Sequence, residues 1–161
     1  MTTEELYQLL GWQHWYRSVS EAFTAQAATA NAVLLQRMLS ALLQQPGPGT
    51  TIFVGHDGNL DGLATLLDAH WDAPPYLGGA LLPTPPGRGM LLTYNRDTDA
   101  INASFVYPVV NGRNSTLRDA PIKELQGMAS AALLARVNTQ LKAYPGASEC
   151  FHKGAPGPNA R

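Results

Sequence analysis

Residues 55–60 read Gly55-His56-Asp57-Gly58-Asn59-Leu60, placing an imidazole and a carboxyl side by side between two glycines. An imidazole can donate to a phosphoryl oxygen, and a neighbouring carboxyl can deliver a proton to a departing alkoxide. Those are the groups that hydrolysis of a phosphate ester requires on its leaving-group side. Glycines at 55 and 58 permit close backbone approach and φ angles closed to other residues. The bland explanation of the pair is a turn into a helix with Asp57 as its N-cap. The other histidines are less suggestive. His14 lies among Trp12, Trp15 and Tyr16 and reads as a half-buried helix face. His70 and Trp71 read as a helix C-terminal cap with an aromatic anchor. Arg88 and Arg96 flank an expected strand, where solvated turn positions explain them as well as contact with phosphate does. Cys150 is the only cysteine, so neither an internal disulfide nor a cysteine-based metal site is available.

The elements around residues 55–60 give them a setting. Residues 3–45 read as helix: Leu6, Leu9, Leu10 and Trp12 recur first, then Val33, Leu34, Leu35, Met38, Leu39, Leu42 and Leu43 at three-and-four spacing. An alanine-rich stretch over 25–32 joins the two groups, and Pro46-Gly47-Pro48-Gly49 stops the helix. Thr50-Thr51-Ile52-Phe53-Val54 is β-branched and aromatic, which predicts a short buried strand ending at Gly55. Asp57 or Asn59 can cap the next helix, which Leu60, Leu63, Leu66 and Leu67 carry to about residue 69. Helix, strand, glycine-rich turn, helix is the order of an α/β sheet, with the turn at a strand's carboxyl end, where such sheets bind ligands. A helix N-terminus there favours an anion.

Downstream, five prolines between Trp71 and Arg88 predict a long irregular connection. Residues 89–94 and 103–109 read as a hairpin turning through Asn95-Arg96-Asp97-Thr98-Asp99. A last helix is expected from Pro121 to about Leu141, followed by a frayed tail. The expected organisation is one α/β domain over residues 1–150 and a flexible tail over 151–161.

With 161 residues the chain suffices for one domain with a real core. Only 14% of residues are charged, well below the usual quarter, as in a piece that lies against something else. A net charge of −1 leaves no electrostatic footprint for nucleic acid or an anionic membrane. No apolar run is long enough to cross a bilayer, and Met1-Thr2-Thr3-Glu4-Glu5 lacks the character of a signal peptide. The sequons at Asn102 and Asn114 are of a kind that arises often by chance.

The run Ile52-Phe53-Val54-Gly55-His56-Asp57-Gly58-Asn59-Leu60 resembles the strand and Gly-His-Asp-x-Asn-Leu signature of the histidine acid phosphatases, in the branch of phytases and prostatic acid phosphatase. The likeness is residue by residue over 53–60 and extends as a layout of elements over about 30–110. It implies the C-terminal part of a histidine-phosphatase (phosphoglycerate mutase-like) fold, a sheet flanked by helices. It also implies a small-molecule phosphomonoester as substrate and no metal or organic cofactor. By resemblance His56 binds the phosphoryl group and Asp57 is the general acid. Gly55 and Asn59 belong to the substrate-binding turn. A phosphate beside Asp57 would favour the protonated carboxyl, hence activity in the acid range. The family is often secreted or periplasmic.

The chain departs from the family pattern at two places. Gly58 stands where the family commonly has Thr or Ser. The nucleophile of the family lies in an Arg-His-Gly motif, and none of His14, His70 and His152 is preceded by Arg or followed by Gly. The phosphohistidine route needs that nucleophile. The sequence therefore carries the general-acid half of a phosphatase site. It predicts an incomplete domain, with a complementing chain or a second copy covering the exposed sheet edge. The alternative is a non-catalytic module that keeps the phosphate- or partner-binding turn and has lost hydrolysis.

Overall fold

The computed structural model describes Thr2, Glu5, Gln8, Leu9, Gly11, Trp12, Trp15, Tyr16 and residues 24–71, 87–111 and 114–153. Within them the protein is mixed α/β, with four α-helices and a three-stranded antiparallel sheet. The connection expected over 72–86 and the tail expected over 154–161 lie outside the described residues, as does His14.

Helix α1 spans Ala25–Gln44. Thr24 caps it, its hydroxyl accepting from Ala27 N at 3.1 Å. Of the apolar residues whose spacing predicts this helix, Leu35 and Leu39 are buried and Val33, Leu34, Met38, Leu42 and Leu43 half-buried, and Ala28 and Ala32 extend the buried stripe. Of the helix expected before it, Glu5, Gln8, Leu9, Gly11, Trp12, Trp15 and Tyr16 are described, and they are helical. Trp12, Trp15 and Tyr16 are exposed, not half-buried as expected, and the two indoles meet edge to face at 6.0 Å.

Helix α2, Asp57–Leu67, is buried along every residue from Asp61 to Leu67, because it packs on α1 on one side and on α3 on the other. Gly62 is the closest point of α1 and α2. A Cβ there would stand 2.6 Å from the Ala27 carbonyl oxygen and against the Asn31 amide. Helix α3, Ser130–Ala143, contributes Leu133, Val137 and Leu141 to the core. From α3, Arg136 Nε donates to Leu67 O at 2.7 Å, and its Nη2 to Asp68 Oδ2 at 2.9 Å and to Asp68 O. The guanidinium thus takes up carbonyls that the end of α2 leaves without helical partners. Helix α4, Pro145–Lys153, starts on a proline at its first turn and packs on α1. It carries the chain in helical form through Phe151, which packs against the core beside Cys150.

Strands β1 (Gly89–Asn95) and β2 (Ala100–Asn111) form the expected hairpin. Asn95 Oδ1 accepts from Asp97 N at 3.0 Å and from Thr98 N at 3.3 Å, which folds the turn. Strand β3 (Asn114–Pro121) was not expected; it pairs with β2 and ends at the proline that the sequence suggests as a helix start. A short 3₁₀ turn, Lys123–Leu125, follows. Ile101, Ala103 and Phe105 of β2 are buried, while Leu91 and Thr93 on the opposite face of the sheet are exposed. Trp71 stacks on Phe105 at 4.8 Å, the anchoring expected of it, and Arg88 lies over the Phe105 and Tyr107 rings at 5.7 and 5.3 Å.

The buried strand expected over 50–54 is not formed. Residues 50–54 join no strand ladder and are exposed: Ile52 is 81% and Val54 96% accessible. β-branched residues favour an extended backbone, whereas a ladder also needs a neighbour, and the three described strands pair with one another and, at Ile101, with Met128. The expected sheet with the glycine-rich turn at its carboxyl edge is therefore replaced by an antiparallel sheet elsewhere in the chain.

Two outcomes test this packing. Gly62→Ala should cost about 1–3 kcal/mol of unfolding free energy, the range for overpacking a close contact, read by urea denaturation. Asp99, in the left-handed conformation at φ 46°, ties the hairpin to α3 by accepting from Ser130 N at 3.2 Å and from Tyr94 Oη at 3.0 Å. Hydrogen bonds from the Ser130 side chain and backbone, and then from Tyr94, hold its carboxyl below the usual 3.8 against the opposing effect of burial. A depressed carboxylate contributes stability that is present above the unfolded-state value and lost as pH falls through the folded one. The stability gap between the native protein and Asp99→Asn should be open at neutral pH and narrow as pH falls below the usual 3.8 through the depressed folded-state value.

Candidate active site

The turn begins where residues 50–55 meet α2. His56, not Asp57 or Asn59, is the N-cap, with extended backbone at φ −126° and ψ 178°. Its Nδ1 lone pair does what a Ser or Asp oxygen does elsewhere: it accepts the Gly58 N–H, at 3.2 Å. Gly58 N also donates to Asp57 Oδ1 at 2.9 Å, and the imidazole and carboxylate stand 3.5 Å apart across it. Asn59 completes the cap from the other side, its Oδ1 accepting from His56 N at 2.8 Å. The reverse setting of that amide would oppose two donors, so its orientation is determined.

This arrangement gives the two candidate groups defined states. An accepting Nδ1 leaves the proton of the neutral ring on Nε2, so the ring offers a donor at its outer edge. The His56 side chain is 77% exposed and that of Asp57 47%, so both are open to a ligand. The N–H of Gly58, which an incoming anion at a helix N-terminus would use, is taken by His56 and Asp57 themselves. The site therefore offers an imidazole N–H and a carboxyl rather than a cradle of backbone amides.

Gly55 and Asn59 have structural duties as well. A Cβ at 55 would stand 2.5 Å from Asn59 Oδ1, so glycine is what lets the capping amide reach His56 N. Both ends of the Asn59 amide are engaged within the protein: Nδ2 donates to Asn31 Oδ1 at 2.7 Å. Sequence reasoning did not single out Asn31. The available signal is an amide among the small and apolar residues of α1, close to Ala28, Ala32 and Leu35, although Gln36 is a second buried amide on that helix.

The remaining candidates are held elsewhere. His70 Nδ1 lies 3.4 Å from Glu124 Oε1, and His152 meets Phe151 edge to face at 5.7 Å on α4. Arg96 donates to Gln45 O. Among the described residues no cluster of three or more His, Cys, Asp or Glu side chains is arranged to hold a metal ion.

No family model, curated protein or solved structure matches this chain.

Asn59→Ala should remove the bond to His56 N and loosen the turn. The expected loss is about 1 kcal/mol of stability, with faster hydrogen exchange at the His56 amide than in the native protein.

Proposed function

We propose that this chain supplies the general-acid half of a phosphomonoester hydrolysis site of the histidine acid phosphatase kind, built in the C-terminal part of such a fold. The observation that carries the reading is the His56-Asp57 pair, exposed at an α-helix N-terminus with imidazole Nδ1 and carboxylate Oδ1 on one shared N–H. His56 Nε2–H would donate to a non-bridging phosphoryl oxygen. Asp57, protonated, would give its proton to the ester oxygen as the P–O bond breaks. A nitrogen nucleophile would take the phosphoryl group on the opposite face as a P–N bond. Asp57, now a carboxylate, would then accept a proton from the water that attacks phosphorus and releases inorganic phosphate, which restores the carboxyl.

The nucleophile is the part for which this sequence offers no Arg-His-Gly motif. The exposed residues Ile52, Phe53 and Val54 support a complementing polypeptide as its source. A β-branched and aromatic run of this kind has the composition of an interior strand awaiting neighbours, and it leads straight into the turn. The same missing nucleophile favours a second reading, a non-catalytic module that binds phosphate or a partner through the turn and does no hydrolysis.

Purified protein should hydrolyse p-nitrophenyl phosphate no faster than Asp57→Asn does anywhere between roughly pH 4 and 8. Inorganic phosphate should nonetheless shift the His56 ring resonances saturably. Acid-range turnover that disappears in Asp57→Asn would mean that the chain holds a complete site, with one of its other histidines as nucleophile. A ring indifferent to phosphate would sink the phosphatase-type reading and leave of the second only a module that binds a partner.

A further inference from the structure

We propose that Asn31 is the positioning residue of this turn: from α1 it fixes the orientation and hydrogen-bonding state of the His56 imidazole. The inference concerns a residue outside the turn, and its catalytic meaning rests on the phosphatase-type reading above.

Asn31 lies 4% exposed in the interior of α1, a place where asparagine is a poor helix former and a buried amide must be satisfied. Three contacts satisfy it. Nδ2 donates to Ala27 O at 2.9 Å within its own helix and to Gly58 O at 3.2 Å across to α2. Oδ1 accepts from Asn59 Nδ2 at 2.7 Å. One amide thus grips two consecutive residues of the turn, one by its backbone and one by its side chain.

Each grip leads to His56 by one further step. Holding Asn59 Nδ2 aims Asn59 Oδ1 at His56 N, 2.8 Å away. Holding Gly58 O fixes the residue whose N–H meets His56 Nδ1 at 3.2 Å and Asp57 Oδ1 at 2.9 Å. The ring is constrained at its backbone and at Nδ1 by groups that Asn31 holds, although Asn31 does not touch the ring. Gly62 makes this possible: any side chain at 62 would occupy the space of the Asn31 amide. An apolar side chain at 31 would fill the same volume in α1 and serve helix packing without the cost of a buried amide. The requirement for asparagine comes from the turn.

The test compares Asn31→Leu, which keeps the bulk and loses the amide, with Leu35→Ala on the same helix. Leu35 belongs to the core and has no part in the network. Asn31→Ser is the gentler variant: its hydroxyl can still bond to Ala27 O but is too short to reach α2. Three quantities are read on folded protein: the His56 ¹⁵Nδ1 resonance, exchange protection of the Gly58 amide, and affinity for inorganic phosphate. Asn31→Leu and Asn31→Ser should both move Nδ1 towards the value of a free imidazole and expose the Gly58 amide. Both should also weaken phosphate binding by about tenfold, the equivalent of about one hydrogen bond. Leu35→Ala should leave all three unchanged despite lower global stability. If Asn31→Ser keeps the native Nδ1 signature and Gly58 protection, Asn31 serves helix packing alone and the assignment is overturned. If the signature moves while no form binds phosphate, the positioning role holds and the phosphatase-type reading fails.

Discussion

The near-contact of helices α1 and α2 at Gly62 is the constraint on which the candidate site rests. Absence of a side chain there brings the α1 backbone within reach of α2, and the Asn31 amide occupies the gap that remains. Everything polar in the turn is then referred to that amide: the Gly58 carbonyl, the Asn59 side chain and, through them, the cap at His56. An extra methyl group at 62 would act on an imidazole it never touches, because the helix spacing and the ring orientation are one geometric quantity. The hydrophobic core, from Leu35 and Leu66 to Phe105, holds the helices together, while the amide sets their register.

Local features of the fold were legible in the sequence, and features that depend on distant partners were not. The spacing of Val33 to Leu43, with Leu35 and Leu39 at its buried centre, marks the second half of α1, and the hairpin around residues 95–99 is set by its own turn residues. Strand β3 could not be read because its sequence, Asn114-Ser115-Thr116-Leu117-Arg118-Asp119-Ala120-Pro121, is polar and ends in proline; pairing with β2 makes it a strand. The opposite error occurs at 50–54, where strong β propensity meets no partner among the described strands. Propensity describes what a backbone tolerates, and pairing is a property of two segments.

The site divides in the same way. His56 and Asp57 stand out by residue type, and the geometry does bring them together over one N–H. Their division of labour was not apparent. Statistical preference assigns the cap to Asp57 or Asn59, yet an imidazole nitrogen with a lone pair serves as acceptor just as well, and His56 has the extended backbone that a cap needs. The supporting residue lies on another helix, and its trace in the sequence is one polar residue on an apolar stripe. A mismatch of that kind in a helix interior is worth treating as a pointer to a buried partner.

The six residues from Thr50 to Gly55 bear on the fate of the protein as well as on its chemistry. Thr50-Thr51-Ile52-Phe53-Val54-Gly55 has high β propensity, no charge and no proline, the composition of segments that stack into cross-β fibrils. Natural sheets protect such segments by pairing them or by placing charged gatekeepers beside them, and here the nearest charged side chain along the chain in the downstream direction is Asp57. An unoccupied segment of this kind makes solubility a function of concentration and of partner supply. Pairing of this segment would thus bear on proteostasis: a neighbour that covered it would also protect the chain from aggregation.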